Sequence, residues 1–282
     1  MSSVDNVSSR NNNNNKIISL IDHADQRDKI REMRECLMQD SEVTELKDGV
    51  LEEDFLLKFL RARNFDVKRA IQSAKMYLNA RKTHPEIFTP ANQLKAAFES
   101  GIVGVLPDKN LVSGETILIT RPGNWDPDTL TFDYYTAATA VSLEVAAMEE
   151  QTQKSGLINI IDMAGFGWKH FKSYGPAQAK RTADVTEKIM PLKFKEIHVI
   201  NESYLARMAY SLLKSFLSEE FNRKIHFHGS DLKKLHKIVS PEILPQEIGG
   251  TRGPFDACKW YEKLVATEPS LTSYWQKCTV DA

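Results

Sequence analysis

The sequence predicts an α/β protein in which a helical N-terminal module precedes a layered α/β/α domain with a largely parallel sheet. Two observations support this prediction. Residues 16–88 carry only helical patterns, whereas strands and helices alternate from residue 116 onward, and such alternation is typical of parallel strands covered by helices. With 282 residues, the chain is long enough for one large core and one smaller core.

We divide the chain into four segments. Residues 1–15 are polar and contain an unbroken run of asparagines, so we expect them to be a disordered tail. Residues 16–88 form the helical module, residues 89–255 the α/β domain, and residues 256–282 a C-terminal helical extension.

The helical module is predicted to contain a charged helix followed by a pair of helices. The pair ends at His84-Pro85, because proline lacks the amide hydrogen that a helix interior needs. A linker and one further short helix lead into the next domain. These helices are predicted over residues 16–38, 52–63, 67–83 and 92–100.

The α/β domain contains four short apolar runs, bounded by turn residues, that predict strands. The strands are Thr116–Thr120, Leu157–Asp162, Glu196–Ile200 and Ile225–His228. Helical patterns lie between these strands and after them. They cover residues 130–152, 176–188, 203–217 and the chain from Phe255 onward.

The helix between the last two strands has an unusually wide apolar face, with large apolar residues in adjacent pairs four residues apart. Packing on the sheet is the ordinary explanation. The alternative is a mobile lid. Burial of each large side chain stabilises by roughly 1.5–3 kcal/mol, so the helix could move away from the protein only if its apolar face entered a bilayer interface. Lysines at both ends of the segment favour the lid, whose apolar residues are Tyr204, Leu205, Met208, Leu212, Leu213 and Phe216.

A search for motifs of catalysis and metal binding gives little support to an enzymatic function. Gly165-Phe166-Gly167 lacks the third glycine of a dinucleotide loop, and no phosphate-cradling loop, nucleophile elbow or His-Glu-x-x-His pair occurs. A dispersed Ser-His-Asp triad stays open. Asp162 is best interpreted as a turn residue, and His198, His226 and His228 as hydrogen-bonded histidines without a metal. We predict no catalytic residues.

Charge and cysteine content restrict the partners and the compartment. The formal net charge is −1, which provides no overall field for nucleic acid. The three cysteines, Cys36, Cys258 and Cys278, are odd in number and far apart, as expected for free thiols in a reducing compartment. No signal peptide, membrane span or myristoylation site is visible. We therefore predict a cytoplasmic protein with reversible, peripheral membrane association.

Four segments resemble the CRAL-TRIO lipid-binding family, in order and at matching spacing, over about residues 50–255. They are Phe55–Asp66, Met190–Glu202, Lys224–Gly229 and Ile243–Gly250. The resemblance implies a monomeric carrier that holds one small hydrophobic lipid (tocopherol, a retinoid or a similar lipid) under the lid and needs no other cofactor. The alternative is a lipid-responsive signalling adaptor without transfer activity.

The resemblance also implies a set of ligand-binding residues. Thr136, Thr139 and Leu143 differ from the residues of tocopherol-binding members at these positions, so a retinoid, sterol-like, carotenoid or phospholipid ligand remains open. The expected ligand-binding residues are Thr136, Thr139, Ala140, Leu143, Leu157, Ile161, Val185, Thr186, Met190, Phe194 and Ile197.

Finally, the resemblance implies a site for the headgroup of phosphatidylinositol bisphosphate. One basic position of the family's site is Glu220 in this chain, for which Arg223 is expected to compensate. The expected phosphoinositide-binding residues are Arg63, Lys193, Lys195, Arg223 and Lys224.

Overall fold

The computed structural model describes residues 24–40, 43 and 51–278. The predicted tail of residues 1–15 and the start of the predicted charged helix lie outside the described residues. Within the described ranges, no helix is both long enough and apolar enough to cross a membrane.

The helical module and the segment that follows it contain α1 (residues 24–38), α2 (Glu53–Ala62), α3 (Val67–Thr83) and α4 (Lys95–Glu99). The later helices are α5 (Phe132–Met148), α6 (Glu150–Ser155), α7 (Trp168–Lys172), α8 (Pro176–Ala183), α9 (Tyr204–Lys214), α10 (Glu219–Asn222) and α11 (Ala257–Lys277). Single 3-10 turns occupy Pro85–Phe88, Ala91–Gln93, Pro122–Asn124, Leu235–Lys237, Pro241–Ile243 and Gln246–Ile248.

Five strands form one sheet in the order β1-β2-β3-β4-β5. The first pair is antiparallel and the other three pairs are parallel, which confirms the predicted largely parallel sheet. The strands are β1 (Val103–Val105), β2 (Thr116–Thr120), β3 (Leu157–Asp162), β4 (Phe194–Ile200) and β5 (Ile225–Phe227).

Both faces of the sheet are buried, because successive strand residues point to opposite sides. On one face, Ile117, Ile158 and Ile200 pack against the segment that follows β5, including Val239 and Leu244. The other face lies beneath α5, α8 and α9. This second face carries the cavity described below.

Two long predicted helices are interrupted in the structure. The helix predicted over residues 130–152 ends at Met148, since Glu149 is extended, with φ −80° and ψ 119°. Its carboxylate accepts hydrogen bonds from Lys109, at 2.6 Å, and from Lys263. Ion pairs with residues distant in sequence therefore stabilise the end of the helix at this position. This explains why local periodicity did not predict it.

The helix predicted over residues 176–188 changes type after Ala183. Asp184–Ile189 forms one turn of π-helix, in which the Met190 amide donates to the Val185 carbonyl at 3.2 Å. Such turns widen a helix locally and are frequent at functional sites. We refer to Asp184–Ile189 as the π turn.

The C-terminal helix α11 packs against both the helical module and α5. The Trp260 indole Nε1 donates to Ser142 Oγ of α5 at 3.0 Å. At the other end, the Lys58 ammonium lies 3.7 Å from the centre of the Tyr274 ring, and burial lowers the pKa of Lys58. The C-terminal extension therefore contacts α2 of the helical module and α5 of the α/β domain, which lie on either side of the predicted domain boundary near residue 88.

His198, on β4, is completely buried and shares a 2.9 Å hydrogen bond between its Nδ1 and Nε2 of His228. The His226 ring stacks on it, with centroids 5.4 Å apart. Burial, together with the charges of the two neighbouring histidines, lowers the pKa of His198 to about 4. Across the described ranges, no group of three or more His, Cys, Asp or Glu residues is arranged to hold a metal ion.

Asp162, at the end of β3, holds the turn that follows it. Its Oδ1 accepts hydrogen bonds from the Ala164 amide at 3.0 Å and from Asn201 Nδ2 at 2.9 Å, and its Oδ2 lies 3.3 Å from Arg121 Nε. These contacts agree with its interpretation as a turn residue.

The glycines near residue 250 provide a test of how the segment after β5 packs. A Cβ on Gly250 would lie 1.9 Å from the Leu244 carbonyl oxygen, whereas a Cβ on Gly253 would meet nothing within 4 Å. We expect Gly250→Ala to lower the free energy of unfolding by about 1–3 kcal/mol, as overpacking does, and Gly253→Ala to leave it nearly unchanged. Urea denaturation of the two variants measures this difference. Equal stabilities would contradict the described path of this segment.

Candidate functional site

A cavity of about 180 Å³ lies between the sheet, α5, the π turn and α9. It sits above the carboxyl-terminal halves of β2 and β3, where open α/β sheets commonly bind ligands. Most of its wall is apolar, and among the described residues that line it none carries a charge. The arrangement fits a neutral, largely apolar molecule.

Seven of the eleven expected ligand-binding residues line this cavity. They are Thr136, Thr139, Ile161, Val185, Thr186, Phe194 and Ile197. The other four, Ala140, Leu143, Leu157 and Met190, are completely buried in the surrounding core and do not line it. Ala140 and Leu143 lie farther along α5. Leu157 lies at the start of β3, whereas the cavity lies near the other end of this strand.

A β-bulge explains why Phe194 and Ile197, three residues apart, both face the cavity. Leu157 pairs with Phe194, but the next residue of β3 pairs with Glu196, so Lys195 is the extra residue of β4. A bulge resets the alternation of a strand. It therefore leaves Lys195 exposed while Phe194 and Ile197 both face inward.

Sequence reasoning missed several polar and aromatic residues of the wall. Thr120 and Asn159 come from the sheet, and Tyr135 and Tyr174 from the helical side. Burial raises the pKa of Tyr174 to about 12. Alternation could have revealed Asn159, because it stands between Leu157 and Ile161, both of which were assigned to the same face.

Three threonines on the helical side of the wall donate their hydroxyl hydrogens to the helix backbone. Thr136 donates to the Phe132 carbonyl at 2.9 Å, and Thr139 to the Tyr135 carbonyl at 3.2 Å. Thr186 donates to the Thr182 carbonyl at 2.7 Å. These side chains therefore contribute packing surface and acceptor oxygens, but no free donors.

Helix α9 covers the cavity with its small residues. Ala206 and Ala209 are its buried residues, and both line the cavity, as do Tyr210 and Leu213. Ser203 begins the helix by accepting a hydrogen bond from the Ala206 amide at 3.3 Å.

The outer side of α9 exposes two large apolar side chains beside the polar Arg207, Ser211 and Lys214. Tyr204 is 77% exposed and Met208 is 37% exposed. Trp168, 57% exposed, extends this surface from the neighbouring helix α7. Of the six predicted lid residues, only Leu213 lines the cavity, while Leu205, Leu212 and Phe216 are half-buried.

Three of the expected phosphoinositide-binding lysines, Lys193, Lys195 and Lys224, form one group that we call the basic cluster. Burial lowers the pKa of Lys193, and the charges of Lys195 and Lys224 lower it further. Gly156 permits this grouping, because a Cβ there would lie 2.7 Å from the Lys193 carbonyl and 2.9 Å from Lys195 Cγ.

Carboxylates balance part of the positive charge near the basic cluster. Glu220 lies 3.8 Å from the Lys224 ammonium and 3.3 Å from Arg69. Arg223 is 3.7 Å from Glu219 and 76% exposed. The expected role of Arg223 in place of a basic side chain at Glu220 stays a prediction.

Arg63 joins the helical module to the π turn. Its Nη2 donates to Ser73 Oγ at 2.8 Å, to the Glu187 carbonyl at 2.9 Å and to the Lys188 carbonyl at 3.2 Å. Burial, together with the charge of Arg69, lowers the pKa of Arg63 to about 10. Internal hydrogen bonds therefore occupy one nitrogen of this expected phosphoinositide ligand.

The carboxylate of Glu187 extends these contacts to the segment after α9. It accepts a hydrogen bond from the Ser218 amide at 3.0 Å, and a second from the Ser218 hydroxyl. The π turn thus contacts the cavity, the helical module and the start of α10.

Several known proteins resemble this chain. The alpha-tocopherol transfer protein-like protein of Mus musculus is 34% identical over 220 residues, or 77% of this chain and 64% of that protein. The match therefore spans less than two thirds of that relative's length. Clavesin-1 of Rattus norvegicus is 30% identical over 239 residues, or 83% of this chain and 67% of that protein.

The fold also matches a solved structure. The crystal structure of Sfh5 aligns with a TM-score of 0.54 over 88% of this chain and 98% of that chain, at 10% sequence identity. A likeness at this identity concerns the fold alone.

Two family models match the parts of the chain that build the site. The CRAL/TRIO domain matches residues 106–250, which contain the whole sheet except β1, together with α5, the π turn and α9. The CRAL/TRIO N-terminal domain matches residues 29–73, which contain Arg63. The first match covers more than half of the 282 residues, and the chain therefore belongs to the CRAL/TRIO family.

Proposed function

We propose that this protein is a cytoplasmic, monomeric lipid carrier without enzymatic activity. It holds one small hydrophobic lipid, such as tocopherol or a retinoid, in the cavity beneath α9 and transfers it at membranes that contain phosphoinositides. The observation that carries the proposal is the position of α9, which covers an uncharged cavity with two alanines and exposes large apolar side chains outside. The name of the tocopherol transfer protein-like relative is consistent with such a cargo.

The size of the cavity supports a movement of α9 in this proposal. Sites for drug-sized ligands measure roughly 300–1,000 Å³, whereas this cavity measures about 180 Å³. Burial of a large apolar side chain stabilises by roughly 1.5–3 kcal/mol, but the fully buried residues of α9 are alanines. Leu205 and Leu213 are only half-buried against the core, so lifting this helix costs less than lifting one whose leucines are fully buried.

A membrane surface provides a partner for the outer side of α9. Tyr204, Met208 and Trp168 are already exposed, and an interface removes such side chains from water. The helix then opens at the place where an apolar lipid can leave without crossing water.

The basic cluster supplies the attraction to an anionic leaflet. Each lysine near such a surface contributes about 1 kcal/mol, so three together strengthen binding by about a hundredfold. The attraction weakens as salt increases. The mutual repulsion that lowers the pKa of Lys193 is relieved when a phosphate group lies among the three charges.

The carrier itself is tested by loading. Purified protein is incubated with vesicles that contain tocopherol, retinol and cholesterol, separated from them, and examined by native mass spectrometry. We expect one lipid molecule for each chain. Protein that stays empty, or that retains lipids in variable number, would contradict the proposal.

The basic cluster is tested by charge reversal. We expect the triple variant Lys193→Glu, Lys195→Glu, Lys224→Glu to bind vesicles that contain phosphatidylinositol bisphosphate at least about a hundredfold more weakly, as measured by cosedimentation. The matched control reverses three exposed lysines of the segment after β5, Lys233, Lys234 and Lys237. Equal loss in both variants would show that only net charge matters and that the cluster is not a docking site.

The outer side of α9 is tested by removing its apolar surface. We expect Tyr204→Ser combined with Met208→Ser to slow lipid transfer between vesicles about tenfold or more, because the opened helix loses its contact with the interface. Leu111→Ser combined with Val112→Ser removes apolar residues that are also exposed, at 59% and 85%, and serves as the control. Unchanged transfer in the α9 variant would refute the role of this surface.

A further inference from the structure

The cavity contains one feature that a purely apolar cargo does not explain. Asn159 stands in the middle of β3 with 6% of its surface exposed, and its side chain lines the cavity. On the adjacent strand, the Thr120 hydroxyl donates a hydrogen bond to Asn159 Oδ1 at 3.0 Å. An amide so deep in an apolar wall is costly unless its polar atoms are paired.

The Asn159 amide is only partly paired. Its Oδ1 accepts the bond from Thr120, but Nδ2 donates to no atom of the described residues. If the amide is turned by 180°, Nδ2 faces Thr120 and Oδ1 is left without a partner. In both orientations, one polar atom of the amide is available to the contents of the cavity.

Four other polar side chains of the wall differ in this respect. The Thr136, Thr139 and Thr186 hydroxyls donate to carbonyls of their own helical turns, and the Tyr210 hydroxyl donates to Asn222 Oδ1 at 3.1 Å. Asn159 and Thr120 instead form a polar pair on the sheet. We refer to them as the sheet pair.

We infer that the sheet pair binds a hydroxyl group of the cargo, which is therefore a neutral lipid alcohol or phenol. The inference rests on the carrier function proposed above. A hydroxyl accepts a hydrogen bond from Nδ2 or donates one to Oδ1, so it satisfies the amide in either orientation. A hydrocarbon leaves the amide unpaired.

The charge of the wall excludes an ionic headgroup at this position. No charged side chain occurs among the described residues that line the cavity, and a phosphate buried without a cation is strongly disfavoured. The sheet pair thus holds the polar end of the cargo against β2 and β3, and the apolar remainder extends beneath α9.

The test compares cargoes that differ only in the hydroxyl. Protein is offered equal amounts of cholesterol and cholest-5-ene, of retinol and its deoxy hydrocarbon, and of 1-octadecanol and octadecane. Phosphatidylcholine vesicles deliver the lipids, and native mass spectrometry measures occupancy. We expect the natural sequence to prefer the alcohol by about tenfold or more in any pair that binds, because the hydrocarbon leaves a buried amide unpaired.

Variants assign this preference to the sheet pair. Asn159→Leu should remove the preference while hydrocarbon binding persists. Thr120→Val should reduce it, because the amide loses the hydroxyl that orients it. Thr267→Val is the matched control, since it makes the same replacement outside the cavity, where the hydroxyl donates to the Lys263 carbonyl within α11, and it should leave the preference unchanged. Thr120→Val keeps the test valid if Asn159→Leu fails to fold.

The outcomes separate the two proposals. Equal uptake of alcohol and hydrocarbon, a preference that survives both sheet-pair variants, or selective loading of phosphatidylcholine would overturn the inference and leave the carrier function intact. If no lipid of any pair or of the vesicle is bound, the carrier function fails as well.

Discussion

The parallel pairing of β2, β3 and β4 is the constraint on which the rest of this structure depends. Because strand side chains alternate, the register that aligns Thr120 with Ile161 also decides which residues face α5 and which face the segment after β5. The isoleucines of one face pack tightly. The other face forms one wall of the cavity, and the same register places Asn159 on that face.

Sequence patterns predicted the regular parts of the fold well. The bounds of β2 and β3 agree with the predicted strands, because each is a short apolar run buried on both sides. β1 was missed, since three residues are too few to show a period of two. The helix break at Glu149 depends on Lys109 and Lys263, which lie far away in sequence, so no local pattern could reveal it.

The site was predicted less completely, for physical reasons that its residues make clear. A wide apolar helical face does not show which part touches the protein, so the pattern of α9 could not indicate that Ala206 and Ala209 lie inside while Tyr204 lies outside. Likewise, the bulge at Lys195 changes the alternation of β4, and only pairing with β3 reveals it. Asn159 is different, because simple alternation with Leu157 and Ile161 could have placed it in the wall, although the sequence prediction omitted it.

The π turn has a consequence for how the molecule can be divided. Val185 and Thr186 line the cavity, and the next two residues offer their carbonyls to Arg63 of the helical module, while the Glu187 carboxylate holds Ser218. The same turn of backbone thus contacts the cavity, the helical module and the segment after α9. The boundary that sequence places near residue 88 is therefore not a mechanical one, and the α/β domain expressed by itself would lack the guanidinium that restrains one wall of its own cavity.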